Sequence, residues 1–269
     1  MSARRSGPPS VLTIAGSDSG GGAGIQADLR TFTSFGVHGL CVITAVTAQN
    51  TREVRAIEPL PTRIVAAQLD AVFSDFDVRA IKIGMLATAG IVRTVAAALR
   101  RRPRIRVVLD PVLVATTGAR LARGDLAVPL RRHLLSRADL LTPNVPEAES
   151  LLGRRLRDAS ELPAAAGELI DLGARAVLLK GGHLGGSRVS DLLAMSDGAL
   201  HWFRHARIDA EGHGTGCTLS SAVAAYLAQG DAMEVAVGKA IDYVHHALAA
   251  GYQPGRGRLR VLDHRARRR

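Results

Sequence analysis

A turn of small residues lies directly before a predicted helix in the last third of the chain and reads His213-Gly214-Thr215-Gly216-Cys217-Thr218. Glycines in such a turn let successive backbone amides point at one spot, and the start of the helix adds partial positive charge there. This arrangement suits an anion hole for a transferring phosphoryl group. Cys217 would lie at the helix end, where thiol pKa values tend to fall, so it is a candidate general base. An ordinary glycine turn before a core helix is the alternative interpretation.

A second glycine-rich turn, residues 16–24, follows the predicted strand at residues 11–15. Gly22-x-Gly24-x-x-Ala27 fits a dinucleotide-binding fingerprint. That fold would place an acidic residue about twenty residues further on, at the end of a second strand, and Gln49 occupies that region instead. The chain has no Gly-Lys-[Ser/Thr] sequence, which argues against a P-loop. Tight packing of a strand against a helix would also explain these glycines.

Oxygen-bearing side chains and a lysine follow three other predicted strands. Asn144 and Glu147 form an Asn-x-x-Glu step, and such oxygen ligands suit Mg²⁺, which keeps several waters and bridges nucleotide phosphates. Capping of a helix N-terminus is the alternative use of this pair. Asp110 is expected to join the same water network, and Lys180 to reach such phosphates unless it is merely solvated. His183 and His213 lie near these groups but lack the spacing typical of metal ligands.

Helices and short, continuously apolar strands alternate through most of the 269 residues, which predicts a mostly parallel sheet covered by helices on both faces. Residues 189–195 and 200–204, joined by Asp197-Gly198, are typical of a hairpin and predict an antiparallel edge. Ligands of such sheets bind beyond the carboxyl ends of the strands. The glycine turns and polar residues described above all follow strands, so we expect them to meet there.

Composition limits the classes of function that remain. The formal net charge is +11, but much of the excess lies in the C-terminal arginines, and aromatic residues make up only 3% of the chain, so we expect no nucleic-acid partner. No apolar run approaches the roughly 18–20 residues of a membrane helix, which predicts a cytoplasmic protein with no membrane partner.

We expect a flexible N-terminus over residues 1–9, a single domain over residues 10–255 and a basic C-terminal tail over residues 256–269.

Lysine is rare: Lys82, Lys180 and Lys239 are the only lysines among the 35 basic residues. Where arginine is the usual cation, a lysine can mark a place that needs a compact point charge. Lys82 and Lys180 are both expected directly after strands, which gives this interpretation some weight.

Seven stretches, taken together and in order, resemble the hydroxymethylpyrimidine/phosphomethylpyrimidine kinases of the ribokinase-like superfamily. Most of that superfamily carries Asp where this chain has Cys217, and Cys at this position resembles the pyrimidine kinases. The resemblance spans roughly residues 10–250 and implies a three-layer α/β/α fold. It also implies ATP and Mg²⁺ as cofactors, and a homodimer. The seven stretches are AGSDSGGGAGIQAD (15–28), ITAVTAQNT (43–51), KIGML (82–86), VLDPV (108–112), LTPNVPE (141–147), KGGH (180–183) and HGTGCTL (213–219).

The resemblance implies phosphorylation of 4-amino-5-hydroxymethyl-2-methylpyrimidine and then of its monophosphate to the diphosphate, for thiamine diphosphate biosynthesis. Gln49 is the expected recognition residue, because a primary amide both donates to and accepts from an aminopyrimidine edge. By the same resemblance, the glycine-rich turn holds the substrate rather than ATP. By resemblance Asp28 also lines the substrate pocket; its alternative is an exposed acid in the first turn of a helix. The other residues expected in the substrate pocket are Gly16, Ala23, Met85 and Val112.

Three segments depart from the family pattern. Residues 115–118, with Thr116-Thr117, lack the usual Lys-Ser pair; residues 209–212 lack the usual Asn-Thr and are one residue short; and residues 255–259 end without Pro-Val. A pyridoxine or pyridoxal kinase is the nearest alternative, since the two activities share this architecture. A catalytically weak pyrimidine-binding regulatory protein is the alternative from another class. A sugar kinase fits less well, because Cys217 replaces the usual Asp.

Overall fold

The computed structural model describes residues 7–114, 118–119 and 121–266, without the side chain of His183. Its first half alternates strands and helices as predicted, except that two strands, β2 and β3, follow each other directly. The elements in order are β1 (Ser10–Asp18), α1 (Gly24–Ser34), β2 (His38–Gln49), β3 (Val54–Pro59), α2 (Thr62–Asp75), β4 (Val78–Ile83), α3 (Ala89–Arg100) and β5 (Arg106–Leu109).

The second half adds short strands, a hairpin and two long helices. Short 3₁₀ turns occupy Leu135–Arg137, Ala159–Glu161 and Gly181–His183. The remaining elements are α4 (Ala127–His133), β6 (Leu140–Leu141), α5 (Val145–Leu152), α6 (Leu162–Asp171), β7 (Ala176–Leu179), β8 (Arg188–Met195), β9 (Leu200–Ala206), β10 (Gly212–His213), α7 (Thr215–Gln229), α8 (Met233–Ala249) and β11 (Arg260–Val261).

Nine strands of the described residues form one sheet in the order β3-β2-β1-β4-β5-β6-β7-β8-β9. The six strands from β2 to β7 in this order are parallel, and the β8–β9 hairpin forms the predicted antiparallel edge. The opposite edge is also antiparallel, because β3 turns back along β2. This second edge was not predicted, since β3 is short, largely exposed and carries charged residues. The predicted fold class, a mostly parallel sheet with an antiparallel edge, is confirmed.

Helices cover both faces of the sheet, and the alternation of side chains along each strand separates two cores. On β1, Leu12 and Ile14 belong to the core that contains side chains of α2 to α6, whereas Val11 belongs to the core that contains side chains of α1, α7 and α8. On β4, Ile81 and Ile83 belong to the first core and Ala80 to the second. In the part of the chain that the structure describes, no helix is both long and apolar enough to cross a bilayer.

The C-terminal segment differs from the basic tail predicted over residues 256–269. β11 pairs with β10 in register Gly212↔Arg260 and His213↔Val261, directly before α7. The apolar residues Leu259, Val261 and Leu262 are all buried. Strand pairing and burial of these side chains therefore make residues 259–262 part of the folded domain.

Leu262→Ala tests this integration. We expect it to lower the free energy of unfolding by about 2–5 kcal/mol, because Leu262 is only 1% exposed and its loss leaves a cavity. Leu172→Ala is the matched control: Leu172 is 40% exposed, so the same substitution should change stability within about 0.5 kcal/mol. Urea unfolding measures both. Equal, small effects would mean that residues 259–262 do not pack on the domain.

Candidate active site

A cavity of about 1240 Å³ opens beyond the carboxyl ends of the parallel strands. It brings together nearly every residue predicted for the site, including the two regions whose proximity the functional interpretation requires, Gln49 and the turn before α7. These predicted residues line it: Gly16, Ala23, Gln49, Met85, Asp110, Val112, Asn144, Glu147, Lys180, Gly214, Thr215, Gly216 and Cys217.

The carboxylate of Asp18, at the end of β1, connects the two glycine-rich turns. Its Oδ1 accepts the backbone N–H of Gly20 at 2.8 Å, and its Oδ2 accepts those of Gly22 at 3.0 Å and Ala23 at 2.8 Å. The Nε2 atom of His213 lies 3.0 Å from the same Oδ2. Burial alone would raise the pKa of Asp18, but the hydrogen bonds from His213, Ala23 and Gly20 outweigh it and lower the pKa. An ionised carboxylate therefore holds both turns.

The two turns approach so closely that only glycine fits at several positions. Gly214 has a φ of +83°, and a Cβ there would lie 2.0 Å from the carbonyl oxygen of Gly22. Gly24 has a φ of +56°, and a Cβ there would lie 2.3 Å from the carbonyl oxygen of Gly16. The glycines thus allow the start of α7 and the start of α1 to meet at one wall of the cavity.

Gln49 lies at the end of β2, and its side chain approaches the same nitrogen of His213 as Asp18 does. Its Nε2 atom is 3.1 Å from Nε2 of His213, and its Oε1 is 3.5 Å from Oγ1 of Thr47. One imidazole nitrogen cannot donate to Asp18 and accept from Gln49 at the same time. The tautomer of His213 and the orientation of the Gln49 amide are therefore linked.

A second polar group lies deeper in the cavity, beside the start of α7. Nζ of Lys180 is 3.0 Å from Oδ1 of Asp110 and 3.9 Å from Oε2 of Glu147. Burial alone would lower the pKa of Lys180, but the two carboxylates outweigh it and raise the pKa. Burial raises the pKa of Glu147 to about 7; Lys180 acts against this rise and Asp110 adds to it. A Cβ on Gly216 would lie 3.2 Å from the lysine nitrogen, so the helix start and the lysine charge face the same point.

Asn144 and Glu147 cap α5. Oδ1 of Asn144 accepts the Glu147 backbone N–H at 2.9 Å, and Oε2 of Glu147 accepts that of Asn144 at 2.8 Å. This capping box is the alternative that the sequence left open. Among the described residues, no group of three or more His, Cys, Asp or Glu side chains could hold a metal ion.

The pKa of Cys217 differs from the prediction. The position of Cys217 in the first turn of α7 predicted a lowered pKa, but burial raises it to about 11. Lys82 and a hydrogen bond from the backbone N–H of Gly24 act against this rise, whereas Asp28 and Asp110 add to it. Burial outweighs the effect of the helix end even though Cys217 is partly exposed at the cavity wall, and the raised pKa keeps Cys217 a thiol at neutral pH.

Asp28 also differs from both interpretations offered for it, since it neither lines the cavity nor lies exposed on α1. It is fully buried, and both its oxygens lie 2.9 Å from Nζ of Lys82. It also accepts hydrogen bonds from Thr13 at 2.5 Å and from Ser221 at 2.7 Å. Lys82 does not follow its strand but lies inside β4, so the pair is sealed between the sheet and the helices.

Sequence reasoning missed the connection between Asp18 and His213, although an acidic residue inside a glycine-rich turn was a signal for it. It also missed Glu211 and Arg258, which line the cavity and pair at 2.7 Å between Oε2 and Nε. In the altered segment 115–118, residues 115–117 lie outside the described part of the chain, whereas Gly118 lines the cavity.

Comparison with known proteins agrees with this geometry. A family model described as phosphomethylpyrimidine kinase matches residues 18–262. A hydroxymethylpyrimidine/phosphomethylpyrimidine kinase from Rhizobium meliloti is 49% identical over 252 residues, which cover 92% of this chain and 94% of that protein. A thiamine biosynthesis bifunctional protein from Geobacter sulfurreducens is 50% identical over 250 residues, covering 92% of this chain and 51% of that protein. The chain thus spans about half the length of the bifunctional relative.

The fold has a well-matched neighbour among solved structures. The pyridoxal kinase from Staphylococcus aureus in complex with pyridoxal superposes with a TM-score of 0.87 at 31% identity, covering 96% of this chain and 94% of that one. The family and the fold predicted from the seven stretches are both confirmed. The chain is a kinase that belongs to the phosphomethylpyrimidine kinase family and has the ribokinase-like fold.

Proposed function

We propose that the protein transfers the γ-phosphoryl group of ATP to the hydroxymethyl group of 4-amino-5-hydroxymethyl-2-methylpyrimidine, and then phosphorylates the resulting monophosphate to the diphosphate, for thiamine diphosphate biosynthesis. One observation carries the proposal: Gln49 and the glycine turn before α7 line the same cavity. The names of the relatives from Rhizobium meliloti and Geobacter sulfurreducens support the choice of substrate and pathway.

The pyrimidine occupies the end of the cavity that contains Gln49. The amide can donate to a ring nitrogen and accept from the exocyclic amine. Met85 and Val112 offer apolar contacts for the ring, and Gly16 and Ala23 leave room beside it. Asp28 has no contact with the substrate in this arrangement, because it is sealed behind the cavity wall.

The ATP phosphates occupy the end that contains the start of α7 and Lys180. In-line phosphoryl transfer needs positioned groups and neutralised charge rather than covalent chemistry by the protein. The backbone amides at Gly214, Thr215 and Gly216 and the charge of Lys180 provide both for the transferring group.

The oxygen donors near Lys180 suit Mg²⁺ held mainly through water. Asp110 and Glu147 supply hard carboxylate oxygens on the same wall of the cavity, with Asn144 beside them. Because Asn144 and Glu147 also cap α5, we expect them to contact the hydration shell of the ion rather than the ion itself. When bound, the ion would neutralise charge on the phosphate oxygens.

Cys217 is the proposed base for the alcohol step. With a pKa of about 11, only a small fraction of the thiol is ionised at neutral pH. The alcohol step therefore depends on a scarce form of the enzyme. The second acceptor is a phosphomonoester with a second pKa of about 6, by analogy with phosphoserine, and is already anionic.

A pyridoxal kinase is the second candidate, supported by the similarity to the Staphylococcus aureus pyridoxal kinase. A pyrimidine-binding regulatory protein would bind the pyrimidine without turnover. A homodimer and a cytoplasmic location stay predictions from the family resemblance and the sequence.

Gln49→Leu tests the substrate assignment. ADP release is measured with hydroxymethylpyrimidine, its monophosphate, pyridoxal and ribose as acceptors. We expect the wild-type protein to prefer the two pyrimidines, and the variant to lose about 10–100-fold in kcat/KM for both, because two hydrogen bonds are lost. The KM for ATP should not change. A preference for pyridoxal, or binding of the pyrimidine without ADP release, would overturn the assignment.

Cys217→Ala separates the two steps. We expect the alcohol step to slow by about 10²–10⁴-fold, since a general base is lost, and the monoester step to slow by less than about tenfold. Separate rate assays with each acceptor measure the difference. Cys41→Ala, which removes the other thiol of the chain, should leave both rates unchanged. Equal losses in both steps would refute the base role.

The pH dependence of the two steps should differ in the same way. Between about pH 7 and 9 the alcohol step should accelerate about tenfold per pH unit, because this range lies below the pKa of about 11 and the thiolate fraction rises with pH. The monoester step should stay nearly flat. The slope should vanish in Cys217→Ala, and a flat alcohol profile in the wild-type protein would contradict the thiolate mechanism.

A further inference from the structure

Two lysine–aspartate pairs lie beneath the first turns of α7. Residues one helical turn apart share a face, so Gly216 aligns with Ser220 and Cys217 aligns with Ser221. Ser220 lies over the pair of Lys180 and Asp110, with Oγ 3.5 Å from Oδ2 of Asp110. Ser221 lies over the other pair, donating to Asp28, which is bound to Lys82. The first pair faces the cavity, but the proposed mechanism gives the second no role.

The sulfur of Cys217 lies at the junction of α1 and α7, on the same side as the second pair. The backbone N–H of Gly24, at the start of α1, donates to the sulfur. One turn further along α1, Asp28 accepts from Ser221, which is one turn further along α7. The two helices therefore make two successive contacts, the first at Cys217 and the second at Asp28.

Lys82 reaches this junction from the sheet. It lies opposite Thr13 in the β1–β4 register, and both side chains bind Asp28. The side chains of Lys82 and Asp28 are both fully buried. A buried ion pair is a poor source of stability, because desolvation of both charges offsets their attraction. Ala80, on the same face of β4, packs in an apolar core, so this face does not by itself require a charge.

We propose that Lys82 and Asp28 act as positioning residues for phosphoryl transfer by setting, with opposite signs, how readily Cys217 releases its proton. The positive charge of Lys82 favours the thiolate, and the negative charge of Asp28 opposes it. Asp28 also holds the ammonium group in place through two 2.9 Å contacts. Neither residue lines the cavity, so both act through the sulfur rather than on the substrate.

Two other charges act on the sulfur from the phosphate end of the cavity. Asp110, beyond β5, opposes the thiolate, and Lys180, after β7, interacts with it favourably. These two are paired with each other at 3.0 Å. Lys82 also interacts with Asp110, but substitutions at Lys82 and Asp28 leave both residues of this second pair in place.

Alkylation of Cys217 by iodoacetamide, followed by mass spectrometry from pH 7 to 10, measures this effect directly, because the thiolate is the reactive form. All variants are made in a Cys41→Ala background. We expect Asp28→Asn to react about tenfold faster than the parent, which corresponds to about one pKa unit. Lys82→Met should react about tenfold more slowly. Loosening of the structure alone would accelerate both variants, so the opposite signs distinguish the two explanations.

Lys82→Met leaves a buried carboxylate without its lysine and can fail to fold, so the double variant Lys82→Met/Asp28→Asn completes the test. It differs from Asp28→Asn only at residue 82, with no unpaired carboxylate in either protein. We expect the double variant to react more slowly than Asp28→Asn. Equal reactivity of these two proteins would overturn the proposal.

The third lysine provides a matched control on the surface. Nζ of Lys239 lies 2.9 Å from Oδ2 of Asp231, and both side chains are partly exposed. Lys239→Met and Asp231→Asn should leave the alkylation rate of Cys217 unchanged. A change as large as that of the buried-pair variants would overturn the proposal, because the effect would then not depend on a charge beside Cys217.

The inference rests on the proposed role of Cys217 in the alcohol step, but alkylation needs no substrate. Alkylation can be faster in Asp28→Asn and slower in Lys82→Met, as expected, while the rate of the alcohol step does not change in the same way. In that case the base role of Cys217 fails and the electrostatic inference stands. If the alkylation rates of these variants do not change in the expected directions, the inference fails whatever the kinase activity is.

Discussion

The carboxylate of Asp18 connects parts of the chain that are 195 positions apart, and the geometry of the cavity depends on this contact. Three backbone N–H groups of the first glycine-rich turn and the ring of His213 converge on its two oxygens. Because the carboxylate accepts all of these hydrogen bonds, it stays ionised despite its burial. The first turn fixes the start of α1, and His213 leads directly into α7. One buried acceptor thus places both helix starts at the same wall.

Glycine makes this convergence sterically feasible. A side chain at Gly214 would collide with the backbone of Gly22, and one at Gly24 with the backbone of Gly16. The same close approach places Cys217, which lies partly exposed at the cavity wall, between the starts of the two helices. Tight packing therefore brings the proposed anion hole and the proposed base together, and burial raises the pKa of Cys217 although it lies at a helix start. In the proposed mechanism, close packing around the phosphoryl group thus opposes easy ionisation of the thiol.

Much of the fold and of the site could be predicted from the sequence, because the signals were local. Alternating apolar strands and helices predicted the parallel sheet, and the position of polar residues directly after strands predicted their convergence at one edge. The same reasoning failed for segments whose structure is determined by tertiary packing rather than by their local sequence. β3 carries charged residues such as Arg55 and Glu58, and its apolar pattern is too weak to mark a strand. Residues 259–262 were assigned to a tail because nothing local shows that they pair with β10.

The sequence by itself determined the family, the class of chemistry and the residues available for it, because these are set by residue types and their spacing along the chain. Only the tertiary structure decided that Asp28 faces Lys82 rather than the substrate, that His213 links Asp18 to Gln49, and that Cys217 rests protonated. Each of these outcomes depends on which groups from distant segments meet and how much water they lose when they do. Desolvation and long-range contacts are properties of the packed molecule. No local sequence pattern shows whether they raise or lower the pKa of a group.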